Sequence, residues 1–155
     1  TIPEYFATAV VKTIEEIRTI QSVSGRPVLV GAITDGNSNP RDVPGLSSFF
    51  DFCVNAEEVG VSKPNSLVYT TAIKRAASHP FLNDLLRPDM SEDALQDTMG
   101  TWWVHIGDDF MKDIVPSKAL GMRTIWARQL VADQKATVKP EPKKPSRSVE
   151  EFVKD

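Results

Sequence analysis

The chain has 155 residues, enough for one domain with a sizeable core and not obviously two. A hydrophobic fraction of 41%, a charged fraction of 25% and a net charge of −3 are those of an ordinary globular protein, and they argue against general nucleic-acid binding, which shows a clear basic excess. One cysteine, Cys53, excludes an internal disulfide and fits a reducing compartment, cytoplasmic or an organellar lumen, and no apolar run approaches the roughly 20 residues that span a bilayer.

The chain opens on Thr-Ile-Pro-Glu without an initiator Met or a signal-like segment, and reads as a cut point inside a longer protein. From Glu4 to Ile20, Phe6, Val10, Ile14 and Ile17 recur at helical spacing with Lys12, Glu15, Glu16 and Arg18 opposite, which predicts an amphipathic helix. Val28 to Ile33 is a short apolar run, as in a strand covered on both faces. Gly, Asn, Ser, Pro and Asp crowd Asp35 to Gly45, a loop, and Phe49 to Val54 leads into a second strand. Asn65 to Ala77 predicts a helix capped by Asn65 or Ser66 with Val68, Ala72, Ile73 and Ala76 inward. Residues 79–100 read as irregular, with a short helix starting at Ser91. Trp102 to Ile106 reads as a third strand, with Trp102 and Trp103 at its core and rim. Phe110 to Leu120 reads as a helix closed by Gly121, and Met122 to Trp126 as a fourth strand. Lys139 to Ser148 is a Pro- and Lys-rich linker, and Ser148 caps a small terminal helix. Strands alternating with helices predict an open, mostly parallel α/β sheet, whose ligands sit beyond the carboxyl ends of its strands.

Three segments fall at such ends. Thr34-Asp35-Gly36-Asn37 follows the first strand. It suits a plain turn, and equally a place where the Thr34 hydroxyl and the next N–H groups hold phosphate oxygens. Lys63, in Val-Ser-Lys-Pro, is either an exposed lysine or a point charge that neutralises phosphate, with Pro64 keeping its backbone extended. His-Ile-Gly-Asp-Asp-Phe-Met-Lys-Asp (105–113) is the strongest of the three. The adjacent carboxylates of Asp108 and Asp109 repel unless a cation or donors compensate, and Asp113 opens a helical stretch. Mg²⁺ is the fitting cation, because it takes hard oxygen ligands and few protein carboxylates. His105, inside a strand, reads as a core residue before it reads as a base, and Cys53 reads as packing.

In this order and spacing the segments resemble motifs II, III and IV of the haloacid-dehalogenase-like hydrolases: Gly31 to Asn37, Gly60 to Pro64, and His105 through Asp113 to Trp126. Ile33-Thr34-Asp35-Gly36-Asn37 with His105 to Asp109 looks most like the branch containing flavin-mononucleotide and riboflavin-pathway phosphatases. The resemblance implies a Rossmann-like three-layer sandwich and hydrolysis of small phosphorylated metabolites through an aspartyl phosphate, with Mg²⁺ as cofactor. It implies that Thr34 and Asp35 bind phosphate, that Lys63 neutralises it and steadies the nucleophile, and that Asp108 ligates the metal. Asp109 and Asp113 would then hold Asp108 from behind. Residues 1–22 would be the end of a helical cap or a first core helix, residues 23–135 the core, and residues 136–155 the linker and terminal helix.

The family's first motif, an Asp-x-Asp that supplies nucleophile and acid/base, occurs nowhere in the chain. In family order it would precede Thr1, on a strand between those ending at Thr34 and Asp108, brought by the same protein or by another chain. The expectation is therefore the later part of a phosphatase, inactive alone. Two alternatives stand beside it: a catalytically dead binding or assembly module, and a hydrolytic dehalogenase, for which the acidic cluster would have no purpose.

Overall fold

A computed structural model describes residues 8–22 and 25–128, with side chains from residue 10 onward. The first helix, α1 (Thr8–Thr19), carries Val11 into the core and fixes its exit by an ion pair from Arg18 to Asp51 at 2.6 Å. Asp51 also accepts from the Val30 N–H at 2.8 Å, while its own N–H donates to the Val30 carbonyl at 2.7 Å. That side-chain closure takes the place of ladder bonds, so the first strand is shorter than the apolar run: β1 is Gly31–Thr34 rather than 28–33. For a similar reason β2 is Phe52–Asn55, because Ser47–Phe49 winds into a tight turn first. The Asn55 side chain then caps a single helical turn, α2 (Ala56–Val59), accepting from Glu58 N at 2.9 Å.

The central element is α3 (Ser66–Ala77), begun by the Asn65 side chain accepting from Leu67 N and ended with Lys74 and Arg75 in its last turn, where cations complement the helix dipole. Val68, Ala72, Ile73 and Ala76 point inward as predicted, and the fully buried Tyr69 joins them. They pack with Phe52 and Val54 of β2, and with Met99 and Met122, into one apolar cluster. Met99 belongs to α4 (Glu92–Trp102), the helix expected to start at Ser91, which is longer than the short one the sequence suggested. Ser91 caps it, and it runs far enough to take Trp102 out of the expected third strand. Trp102 is accordingly half-exposed at a helix end. Trp103 packs edge-on against Phe52, with ring centroids 6.2 Å apart.

Next come β3 (Val104–Gly107), a wide π-helical turn (Phe110–Ile114), the short helix α5 (Val115–Ala119) and β4 (Arg123–Trp126). The predicted continuous helix 110–120 is thus split in two. Gly121 follows it with φ +80°, the left-handed position its place after a helix end predicts. Pairing is parallel throughout, β1 with β2 from Gly31↔Phe52 and β3 with β4 from Val104↔Arg123. The α/β class and the parallel pairing are as expected, but the strands form two two-stranded sheets, and no described strand joins β1 to β3. On the β3–β4 pair, Val104, Ile106 and Ile125 share one face and lie about half exposed, while His105 is buried on the other. No helix among the described residues is long and apolar enough to cross a membrane. The expected linker and terminal helix, and the entry to the first helix, lie outside the described residues.

Candidate active site

The loops that follow β1, β2 and β3 meet at the carboxyl ends of the strands. Lys63, after β2, sends its ammonium to Asp113 Oδ1 at 2.7 Å, with only 13% and 4% of the two side chains exposed. Its backbone N–H donates to Asp35 Oδ1 at 3.1 Å, and Asp35 Oδ2 accepts from Lys112 Nζ at 2.9 Å. Lys112 and Asp113 are neighbours in the chain, so two lysines and two aspartates close a ring that ties all three loops together. The peptide bond between Lys63 and Pro64 is cis.

Local sequence explains why Asp113 reaches so far in. Asp109 ends its extended stretch by accepting from the N–H groups of Met111 and Lys112, which starts the wide turn. That turn brings the Asp113 carboxylate back over Gly107, where a Cβ would stand 2.3 Å from the Asp113 side chain, so only glycine fits. The Asp109 N–H closes the loop on Asp113 Oδ2 at 3.1 Å. From the other side, Tyr69 donates its hydroxyl to the Lys112 carbonyl.

Electrostatics follow from these contacts. Burial alone would raise the Asp113 carboxyl, but His105, Lys63 and the Asp109 N–H outweigh it and hold it well below the usual carboxylate range. Asp35 is likewise lowered: against burial stand the Lys112 hydrogen bond and the Lys63 N–H. Burial and the Asp113 charge push Tyr69 upward, so it stays a phenol. Burial also raises the Cys53 thiol, which leaves that residue a packing group.

The sequence-predicted residues therefore divide. Asp35, Lys63, Asp109 and Asp113 are in one hydrogen-bonded system. The Thr34 hydroxyl is turned to its own loop, donating to the Ser38 carbonyl at 2.5 Å. The Asp108 carboxylate has no hydrogen-bond or ion-pair partner among the described residues, although the Asp108 carbonyl accepts from Trp126 Nε1 at 3.1 Å. Two participants were missed. Lys112 sits inside the third segment, and its position between Asp109 and Asp113 was the available signal. Nothing in the sequence marked Tyr69. No group of three or more His, Cys, Asp or Glu side chains suited to a metal occurs among the described residues. Both oxygens of Asp35 and Asp113, and Oδ1 of Asp109, are committed to other donors, which leaves Asp108 as the wholly free carboxylate of these four aspartates. That fits the few protein carboxylates Mg²⁺ takes, but it supplies one ligand and no more.

No family model matches the chain. It is 29% identical over 115 residues to the pyrimidine 5′-nucleotidase YjjG of Escherichia coli K12, a match covering 72% of this chain and 43% of that protein. Among solved structures, a 2-haloacid dehalogenase from Pseudomonas syringae aligns with a TM-score of 0.54 and 27% identity, over 77% of this chain and 40% of that one. A haloacid-dehalogenase-like phosphatase from Thermococcus onnurineus (TM-score 0.52, 20% identity, 77% and 45% coverage) shares the fold. So does the haloacid-dehalogenase-like YfnB of Bacillus subtilis, solved with magnesium bound (TM-score 0.53, 19%, 88% and 47%). The resemblance read from the three segments stands: the neighbours of this chain are haloacid-dehalogenase-like hydrolases, and its parallel α/β fold is theirs. The chain spans less than half the length of each.

Proposed function

We propose that these residues are the later part of a Mg²⁺-dependent phosphohydrolase of small phosphorylated metabolites, working through an aspartyl phosphate. The observation that carries the reading is the Lys63 junction, with its ammonium on Asp113 at 2.7 Å and its N–H on Asp35 at 3.1 Å. An ammonium held on one carboxylate, with its backbone N–H anchored on a second loop, keeps two N–H donors for a phosphoryl oxygen. In the reaction a carboxylate oxygen attacks phosphorus and the bond to the leaving alkoxide breaks as an acid protonates it. Water then attacks phosphorus, releases phosphate and restores the carboxylate. The attacking carboxylate and the acid would come from an Asp-x-Asp segment outside this chain, on a strand fitting between β1 and β3. Asp35 would lie beside the phosphate with Lys63, and Thr34 would join them by turning its hydroxyl away from the Ser38 carbonyl. Asp108 would be one metal ligand, Asp109 and Asp113 holding the turn behind it, and a divalent ion there would offset charge on the phosphoryl oxygens.

The nucleotidase likeness puts nucleoside 5′-monophosphates first among test substrates, with flavin mononucleotide beside them. A second reading, a dehalogenase, is favoured by the 27% identity to the Pseudomonas protein. The test is a screen of the full-length protein with and without Mg²⁺ for phosphate release, and for halide release from 2-haloacids. Phosphate release that needs the metal supports the proposal, whereas metal-free halide release replaces it. Neither activity points to an assembly module. Residues 1–155 alone should release no phosphate, and turnover by them would overturn the placement of the nucleophile elsewhere.

A further inference from the structure

His105 is buried on the covered face of β3, and the proposed reaction does not use it. Its Nε2 has no hydrogen-bond partner and lies 3.7 Å from Asp113 Oδ1, the oxygen that holds Lys63. Its ring stands edge-on to Tyr69, centroids 5.5 Å apart and planes at 74°, so α3 fixes the direction of the imidazole. A buried ring nitrogen without a partner is costly beside a buried carboxylate, and a movement of less than an ångström makes the bond.

We infer that His105 is a positioning residue, its Nε2–H donating to Asp113 Oδ1 and so fixing the aim of the Lys63 ammonium. Asp113 is then gripped from three directions, by β3 through His105, by the turn through the Asp109 N–H, and by Lys63. Without His105, Oδ1 keeps only a long flexible lysine, and the carboxylate and ammonium are free to move together. The contact itself rests on geometry alone. Its catalytic consequence rests on the phosphohydrolase reading.

Two measurements on the full-length protein separate these halves. Long-range ¹H–¹⁵N spectra read the imidazole directly: the proton is expected on Nε2 at pH 7, with that resonance shifting in Asp113→Asn. A proton on Nδ1 alone, with a bare Nε2 lone pair facing the carboxylate, overturns the inference whatever the enzyme does. In kinetics, His105→Phe keeps a ring against Tyr69 but removes the donor. It should lower kcat about tenfold to a hundredfold with KM nearly unchanged, the signature of a misaimed group rather than a lost binding contact. His105→Gln, whose amide N–H reaches the same place, should recover most of kcat. Equal losses in the two variants, or an unchanged kcat in His105→Phe, overturn the positioning role. If His105→Phe fails to fold, the tautomer and the Gln variant decide. A wild type inactive on every phosphate ester sinks the phosphohydrolase reading, and the tautomer still decides the contact.

Discussion

Replacing Lys63 by Met removes a charge while keeping the length of the side chain. It leaves Asp113, with 4% of its side chain exposed, ionised and short of its nearest cation. Removing one member of a buried pair costs about 3–5 kcal/mol, because the partner stays desolvated. Asp113 retains the Asp109 N–H and its neighbour His105, so the lower end, about 3 kcal/mol, is expected here. For a chain of this size that is a fall in Tm of about 6–12 °C. The pH dependence gives a sharper check. A carboxyl lowered in the folded state contributes stability above its unfolded pKa of about 3.9, and loses it as pH falls through the folded value. Without Lys63, burial is opposed only by His105 and the Asp109 N–H, so the carboxyl sits higher and takes up a proton in the folded protein at higher pH than before. The difference between the two proteins must therefore shrink as the pH is lowered from about 7 to about 4. Urea unfolding followed by circular dichroism at both pH values reads this. A loss below about 1 kcal/mol at pH 7, the size of a surface pair, would refute the buried-pair reasoning. So would a loss of the same size at both pH values.

Gly107→Ala sets a methyl 2.3 Å from Asp113, so the turn must shift, at about 1–3 kcal/mol; unfolding midpoints check this, and full-length activity should fall with it. Asp108→Asn should stay within about 0.5 kcal/mol of wild type, since its carboxylate has no partner among the described residues, while Mg²⁺-dependent phosphate release disappears. Retained, metal-dependent activity in that variant would remove Asp108 from the metal. Tyr69→Phe deletes the donor to the Lys112 carbonyl and should cost about 1 kcal/mol, checked by the same unfolding curves.

What the sequence revealed was governed by local rules. The inward face of α3 and its Asn65 cap, the glycine after Leu120, and the three loops at strand ends were all legible, because periodicity and capping are local. Asp51 was not: its side chain closes on Val30, 21 positions away, and shortens the first strand in a way no window of apolar residues records. The start of α4 at Ser91 was legible, but its run to Trp102 was not, for a related reason. Its stability comes from Met99 packing into a distant cluster, which overrides the strand preference of Trp102 and Trp103. At the site, the residue types were readable but their pairing was not. Asp113 was expected behind Asp108; its direct contact with Lys63, which the wide turn after Asp109 brings about, was not legible. The hydroxyl of Thr34 spends its hydrogen bond within its own loop, a choice made by the backbone at Ser38.

The half-exposed Val104, Ile106 and Ile125, beside strand borders that no described neighbour occupies, have a consequence for life inside a cell. Chaperones and quality-control proteases survey nascent chains for bare apolar strips of this kind. How long such a chain persists after synthesis then depends on how quickly something shields that side. Steady-state abundance thereby becomes a readout of whether that side has been shielded.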